Sequence, residues 1–438
     1  MDSCKRDNRL DSCAAFGLPL GAVLCLGLLS FDSDIYGHAR LRWSLWGAGL
    51  SLLVWLGWLC AAGRKPTVAL RIAKAHYVQA LIQLCIFAYW GWYWPPVYDM
   101  APLIAAQIAF AYAFDALLCW SRRQEWHLGF RPFPIVLSMN LFIWFKFDWF
   151  ALQFLMVATS LVGKEFFTWQ RNGRSTHIFN PSGFALTAFS IALLATGNTD
   201  LTCGEAIAKT LAEPEYIYIV VFALGLVVQC AFSIVLMTLA AVAALYVLSS
   251  LYVAFFGFSY FADTSIPIGI FIGLHLLMTD PATSPRSGLG RLIFGALYGT
   301  GAFALYGLLG WLEQPTFYDK LLCLPFLNLA VRAFDRCRLP LMERLQRALR
   351  ANAVQIGAWM AFFFFLQSTS FIGKKNQEGL AFWRGAVAHG VSTLVDAVSP
   401  RGDEALRAQS EYRRQLGATN ILAQTERPAT HCGCGPED

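Results

Sequence analysis

The sequence predicts an all-α polytopic membrane protein, a bundle of about 10–13 transmembrane helices, several of them short or broken. Composition is the first sign: of 438 residues, 57% are hydrophobic and only 14% charged, which excludes an ordinary soluble domain. The second is recurrence, since apolar runs of near-spanning length follow one another along most of the chain. The third is that some of these runs stop short of the ~20 residues a straight span needs.

The runs lie near 14–31, 45–63, 77–94, 99–120, 134–147, 149–167, 180–196, 216–235, 236–256, 265–279, 290–312, 321–334 and 352–372. Those at 134–147, 180–196, 265–279 and 321–334 are the short ones, and in a membrane protein short spans point to broken helices around a site. The first run follows a charged start but shows no small-residue cleavage site at Ser30-Phe31-Asp32-Ser33, so a retained helix is expected. Three regions result: extra N-terminal helices over 1–74, a membrane core over 75–372 and a tail over 373–438. In the tail, Leu380, Phe382, Trp383, Val387, Val391, Leu394 and Val395 suggest an amphipathic helix on the membrane surface, and 402–417 a solvated one. Its end, His431-Cys432-Gly433-Cys434, offers three metal ligands without a fourth, so no metal site is assigned.

The 15 Trp and 35 Phe suit interfacial belts and lipid-facing surfaces. A net charge of +6 does not signal nucleic acid, because the Lys and Arg residues sit in short loops where they set orientation. Arg64, Lys65, Arg71, Lys74, Arg122, Arg123, Arg131, Arg171, Arg174, Arg286, Arg291, Arg332, Arg336, Arg338, Arg344, Arg347 and Arg350 fall on one side. The loop over 197–215, with Asp200, Glu205, Glu213 and Glu215, falls on the other. The N-terminus is thus expected in the cytoplasm. Cys25, Cys60, Cys85, Cys119, Cys230 and Cys323 lie in apolar runs and read as small buried hydrophobes, without a disulfide framework.

Two polar interruptions stand out. Gly163-Lys164-Glu165-Phe166-Phe167 precedes His177-Ile178-Phe179-Asn180-Pro181-Ser182-Gly183, and His275 to Pro285 echoes it with Thr279-Asp280-Pro281-Ala282-Thr283-Ser284. Asn180 and Asp280 read as helix N-caps, with Pro181 and Pro281 at the first helical position. Such starts aim backbone N–H groups and a positive dipole end at a ligand. Asn180 is either a cap or a ligand reader, and Lys164, Glu165 and His177 beside it favour the reader. The 279–287 segment is equally a capped loop with Arg286 at lipid headgroups or a functional turn. Asp115, near a span edge, is either functional or paired with Arg122 or Arg123. Asn140 sits on a short span, Lys146 and Asp148 read as an interfacial pair, and His275, with Asp263 upstream, is either a core or a functional histidine.

No Walker, dinucleotide, nucleophile-elbow or haem-attachment motif occurs. Gly163-Lys164-Glu165-x-Phe167, Phe179-Asn180-Pro181 and Met278-Thr279-Asp280-Pro281-Ala282-Thr283-Ser284-Pro285, with Gly290 and Gly295, resemble the Rnf D subunit and the B subunit of the sodium-pumping NADH:quinone oxidoreductase. Phe326-Leu327-Asn328-Leu329-Ala330, followed by Phe334-Asp335, is a third match in the same order, and the resemblance spans roughly 75–340. The chain looks closest to stand-alone bacterial relatives, such as the membrane proteins encoded beside enediyne biosynthesis genes.

That resemblance implies a core of about ten helices in two repeats, similar to urea-channel folds. It also implies a flavin within the bacterial inner membrane. The family's covalent FMN attachment motif, Ser-Gly-Ala-Thr, is absent, so a non-covalent flavin, riboflavin or FMN, is expected. Asn180 stands at the family's Asn-Pro position, and His177 where a neighbouring Asn contributes. The expected cofactor residues are Asn180, His177, Lys164, Glu165, Ser182, Thr279, Asp280 and Thr283, with Phe or Trp rings stacked on the isoalloxazine. The expected role is electron transfer between partner redox subunits or a soluble donor, with ion movement as a further expectation; no residue is assigned to bond-making chemistry. The alternative is a solute channel or transporter of the same fold without a redox group.

Overall fold

The computed structural model describes residues 9–10, 12–171, 173–212, 216–261, 264–340 and 351–372. The tail helices, the His431–Cys434 cluster, Glu213, Glu215, Asp263, Arg344, Arg347 and Arg350 lie outside the described residues.

The chain is mostly helical. Among the described residues its helices longer than four residues are α1 (Ser12–Leu29), α2 (Ala39–Ala61), α3 (Lys74–Tyr93), α4 (Ala101–Arg122), α5 (Pro132–Asn140), α6 (Ala151–Phe166), α7 (Pro181–Thr196), α8 (Gly204–Leu211), α9 (Ile217–Phe232), α10 (Val235–Phe256), α11 (Ile268–Leu277), α12 (Gly288–Trp311), α13 (Leu324–Arg336) and α14 (Ala351–Ser368). Four of them, α2, α4 with its preceding turn, α10 and α12, are long and apolar enough to cross a membrane, as a multi-pass membrane protein requires. Helix α2 shows why water is not its solvent. Leu41, Leu45, Leu52 and Leu59 are buried, yet the opposite face exposes Trp43, Leu50, Val54 and Trp58, so both faces are apolar.

Between α10 and α12 the backbones nearly touch. A Cβ on Gly295 would lie 2.0 Å from the Met237 carbonyl, and one on Gly299 2.4 Å from that of Ala241. This four-residue spacing of small residues lets two membrane helices gain dispersion contact that lipid cannot supply.

Two of the short runs, 134–147 and 265–279, are interrupted, in ways periodicity did not foretell, whereas 180–196 is one continuous helix. The run expected as one span over 134–147 stops being helical after Asn140, and Leu141 to Phe145 continue as buried irregular backbone. That is tolerated because its polar groups find partners: Gln153 accepts from the Phe145 N–H at 3.2 Å and donates to the Ile143 carbonyl at 3.3 Å. The Cys203 N–H reaches the Trp144 carbonyl at 2.8 Å. Helix α11 has five α-helical residues, Ile268–Ile272, before a π turn, Gly273–Leu277.

Asp280 does not begin a helix, contrary to its reading as an N-cap. Its Oδ1 accepts from the Ala282 N–H at 3.0 Å and Ser284 Oγ donates back to its carbonyl at 2.6 Å, a local turn that competes with helix. Pro285 then disfavours helical geometry at Ser284, and α12 starts only after Ser287, whose hydroxyl accepts from the Gly290 N–H at 3.1 Å. The expected Lys146–Asp148 pair is also replaced, because Asp148 faces Arg40 at 3.5 Å.

Two small sheets add to the helical class. β1 (Arg9–Leu10) and β3 (Glu125–Leu128) flank β2 (Thr67–Leu70), antiparallel and parallel respectively, with Thr67 opposite Glu125 and Leu70 opposite Leu128. β4 (Thr168–Arg171) and β5 (Arg174–His177) form a hairpin with Thr168 opposite His177. Of the cysteines, Cys25, Cys60, Cys85, Cys119, Cys230, Cys323 and Cys337 are free, whereas Cys203 is disulfide-bonded, which the scattered pattern gave no reason to expect.

Candidate functional site

Asn180 is both a cap and a bridge. Its Oδ1 accepts from the Gly183 N–H at 3.0 Å and from Ser182 Oγ at 2.8 Å, closing the first turn of α7. Its Nδ2 donates to the Leu277 carbonyl at 2.9 Å, across to the end of the π turn. The Asn180 N–H donates to Asn328 Oδ1 at 3.1 Å, and Asn328 Nδ2 reaches the Thr283 carbonyl at 3.4 Å. Beside them, His177 Nε2 lies 3.1 Å from Asp280 Oδ2. Segments about a hundred and a hundred and fifty residues apart therefore meet at one point.

Arg171, read from sequence only as a loop charge, fastens this junction. Its Nη2 is 2.6 Å from Asp335 Oδ2 and 2.9 Å from the Ser284 carbonyl, while its Nη1 reaches the Ala282 carbonyl at 3.1 Å. Asp335 also accepts from the Arg286 N–H at 2.7 Å. The planar guanidinium suits this role, because its fixed fork addresses a carboxylate and two carbonyls together.

In front of Asn180 opens a cleft of about 330 Å³, lined among others by Lys164, His177, Asn180, Ser182 and Asp280. Five of the eight expected residues thus share one cavity. Arg71, His76, Gln79, Arg131 and Ser138 line it as well. The sheets explain two of these placements: Arg71 follows β2, tied by its N–H to the Leu128 carbonyl at 2.8 Å, and His177 ends β5. Arg131 precedes α5 and Pro181 opens α7, so two helix N-termini edge the cleft.

Three expected residues lie elsewhere. Glu165 is held between Arg122 at 3.4 Å and Arg123 at 2.9 Å. Thr279 donates to the His275 carbonyl at 2.6 Å and finishes the π turn. Thr283 bonds Asp280 Oδ2 at 3.2 Å from behind, supporting the carboxylate. Since Arg122 and Arg123 serve Glu165, Asp115 pairs instead with Lys164 at 3.5 Å and accepts from Trp126 Nε1 at 2.8 Å. Among the described residues no Phe, Tyr or Trp lines the cleft. Phe179 and Phe184 stack on each other, Phe167 meets Phe179 edge-on, and Phe184 fills the space that Gly163 leaves open.

Below Ser138 the polar groups continue into the bundle. Gln83 Nε2 donates to Ser138 Oγ at 2.6 Å, and Asn140 exchanges hydrogen bonds with Gln107 at 2.8 and 3.2 Å. Gln153 joins at 3.3 Å, and Gln83, Gln107, Asn140 and Gln153 are all fully buried. His275 is buried, its Nδ1 2.7 Å from the Phe271 carbonyl, while its Nε2 has no hydrogen-bond partner among the described residues. Outside the cleft, Asp319 and Lys320 form a buried pair at 3.5 Å that sequence reasoning did not single out.

Charge in the cleft governs its response to acid. His76, at the first turn of α3, is pulled down to about 4, by burial first and then by the Arg131 and Lys164 charges. Unfolded, it takes a proton near 6.5, so the folded state is favoured above that value and this share is lost as pH falls through about 4. For Asp280, burial opposes ionisation, but the His177 ring, the Ala282 N–H and Thr283 outweigh it and hold the carboxyl below 3.8. Its contribution is therefore lost only at lower pH. Melting temperature should drop between pH 6.5 and 4, and His76→Asn should flatten that drop. An unchanged slope in the variant would refute the assignment.

No family model, curated protein or solved structure matches the chain.

Proposed function

We propose that the chain is a membrane-embedded, flavin-binding electron-transfer subunit with an Rnf D-like core. In this reading most of its helices cross a bacterial inner membrane, about 10–13 in all, with the N-terminus in the cytoplasm. One observation carries it: the motif segments behind the resemblance meet through Asn180, Asn328 and the Leu277 and Thr283 carbonyls, and Asn180 and Asp280 border the cleft.

The lining residues fit a flavin at its polar edge. Gln79, Ser138 and Ser182 supply amide and hydroxyl groups that suit a pyrimidine edge. The ring's face would meet Pro134, Ile135 and Pro181 rather than aromatic rings. A bound flavin supplies one- and two-electron transfer. The protein's share is electrostatic: Arg71, Arg131, Lys164 and two helix N-termini favour negative charge in the cleft. Asn180 keeps at most one amide hydrogen for a ligand, so its main role is to hold the two turns together. Partner redox subunits or a soluble donor would deliver and remove electrons.

The purified protein is expected to carry visible flavin absorbance, with intact riboflavin or FMN released on denaturation and identified by mass. Well-folded protein that is colourless and takes up neither flavin would overturn the proposal. A second reading is favoured by the buried Gln83–Ser138 and Gln107–Asn140–Gln153 groups, which extend polarity inward from the cleft as a solute pathway would. Solute flux in proteoliposomes by chromophore-free protein would select it.

A further inference from the structure

We propose that the cleft holds a phosphate monoester, with the Arg71 and Arg131 guanidinium groups on its phosphate and Lys164 beside them. Charge balance is the argument. Lys164 is matched by Asp115 at 3.5 Å, and the one acid of the cleft, Asp280, is engaged by His177, Ala282 and Thr283. Arg71 and Arg131 make no side-chain hydrogen bond or ion pair among the described residues, although both line the same cavity. Two guanidinium groups without an ion-pair partner on one cavity make it favourable to an anion.

A monoester phosphate carries about −1.5 to −2 charges at neutral pH and three acceptor oxygens, which satisfies both forks; a carboxylate would leave one unmatched. Bare phosphate would fill little of the roughly 330 Å³ available. Pro134, Ile135 and Pro181 supply an apolar wall for an organic body attached to the phosphate. In its specific form the inference rests on the flavin reading and makes the ligand FMN rather than riboflavin. Phosphatidate has the same headgroup chemistry, and the experiment separates the two.

Delipidated protein in neutral detergent is titrated with phenyl phosphate and, separately, with phenol, following melting temperature and affinity. Phenyl phosphate should stabilise the wild type and phenol should not. The Arg71→Gln/Arg131→Gln variant should melt no lower than wild type without ligand, since these side chains make no hydrogen bond or ion pair among the described residues. It should bind phenyl phosphate at least about tenfold more weakly, the loss expected for a charge-assisted hydrogen bond. Equal binding by variant and wild type, no binding by wild type, or a variant that melts lower unliganded would overturn the inference.

The source is then read from competitors. FMN binding at least about tenfold tighter than riboflavin assigns the phosphate to the flavin. Equal affinity for the two flavins would remove the phosphate role. Binding of phenyl phosphate without either flavin would keep the phosphate site and sink the flavin reading. Displacement of phenyl phosphate by nanodiscs containing phosphatidate, but not by phosphatidylcholine alone, would name a lipid.

Discussion

Arg171→Met is expected to cost about 3–5 kcal/mol of stability, the range for breaking a buried ion pair by removing one partner. The loss should sit toward the lower end, because the Asp335 side chain keeps 23% of its exposure and would regain some water. The Ala282 and Ser284 carbonyls would also lose their donor, loosening the turn that presents Asp280 to the cleft. Arg171→Lys should fall between, since an ammonium keeps the charge but cannot reproduce the fork. Denaturation of the purified variants in detergent measures this, and Arg171→Met that melts with wild type would refute it. Cleft-ligand binding should weaken in the same order, although Arg171 does not line the cavity.

The second large effect is expected at Asn180. Asn180→Ala removes a helix cap, worth about 0.5–2 kcal/mol, and strands the buried Leu277 carbonyl, worth about 1–3. Together these give a loss of about 2–4 kcal/mol, since coupled terms add incompletely. Asn180→Ser separates the parts: a serine hydroxyl can still accept from the Gly183 N–H but cannot span to Leu277. Its cost should therefore be the bridge alone. If Ala and Ser cost the same, the cap contributes nothing; if both fall within about 0.5 kcal/mol of wild type, the junction is not stabilising. Cleft binding should fail in both variants, because the bridge joins the turns that form its wall.

Much of the fold was legible. Long apolar runs marked the helices, because a bilayer demands internally satisfied backbone over a set length, and that demand is local. The capping geometry of Asn180 was legible for the same reason, its partners Ser182 and Gly183 lying within three residues, although its polar neighbours had favoured a ligand reader over a cap. The β4–β5 hairpin had a signal that the reading of 168–179 as a charged loop passed over, namely Asn172-Gly173 between Thr168–Arg171 and Arg174–His177. Asp280 misled, because Asx turns and N-caps use the same side-chain chemistry and differ only in whether the next residues stay helical.

Lys164, His177, Asn180, Ser182 and Asp280 could be nominated because polar groups in apolar sequence are costly and announce themselves. Arg71, Arg131 and Arg171 could not, because a basic residue in a loop reads the same whether it faces lipid headgroups, a cleft or a carbonyl. What the sequence determined alone was the solvent of the chain, the helices that solvent imposes and the positions of its polar exceptions, all set by neighbours along the backbone. Which exceptions share a cavity, which arginines stay unpaired there and which carboxylate each cation meets depended on contacts reaching from 42 to 164 residues along the chain. Local physics does not specify such distant pairings; only the packed bundle decides them.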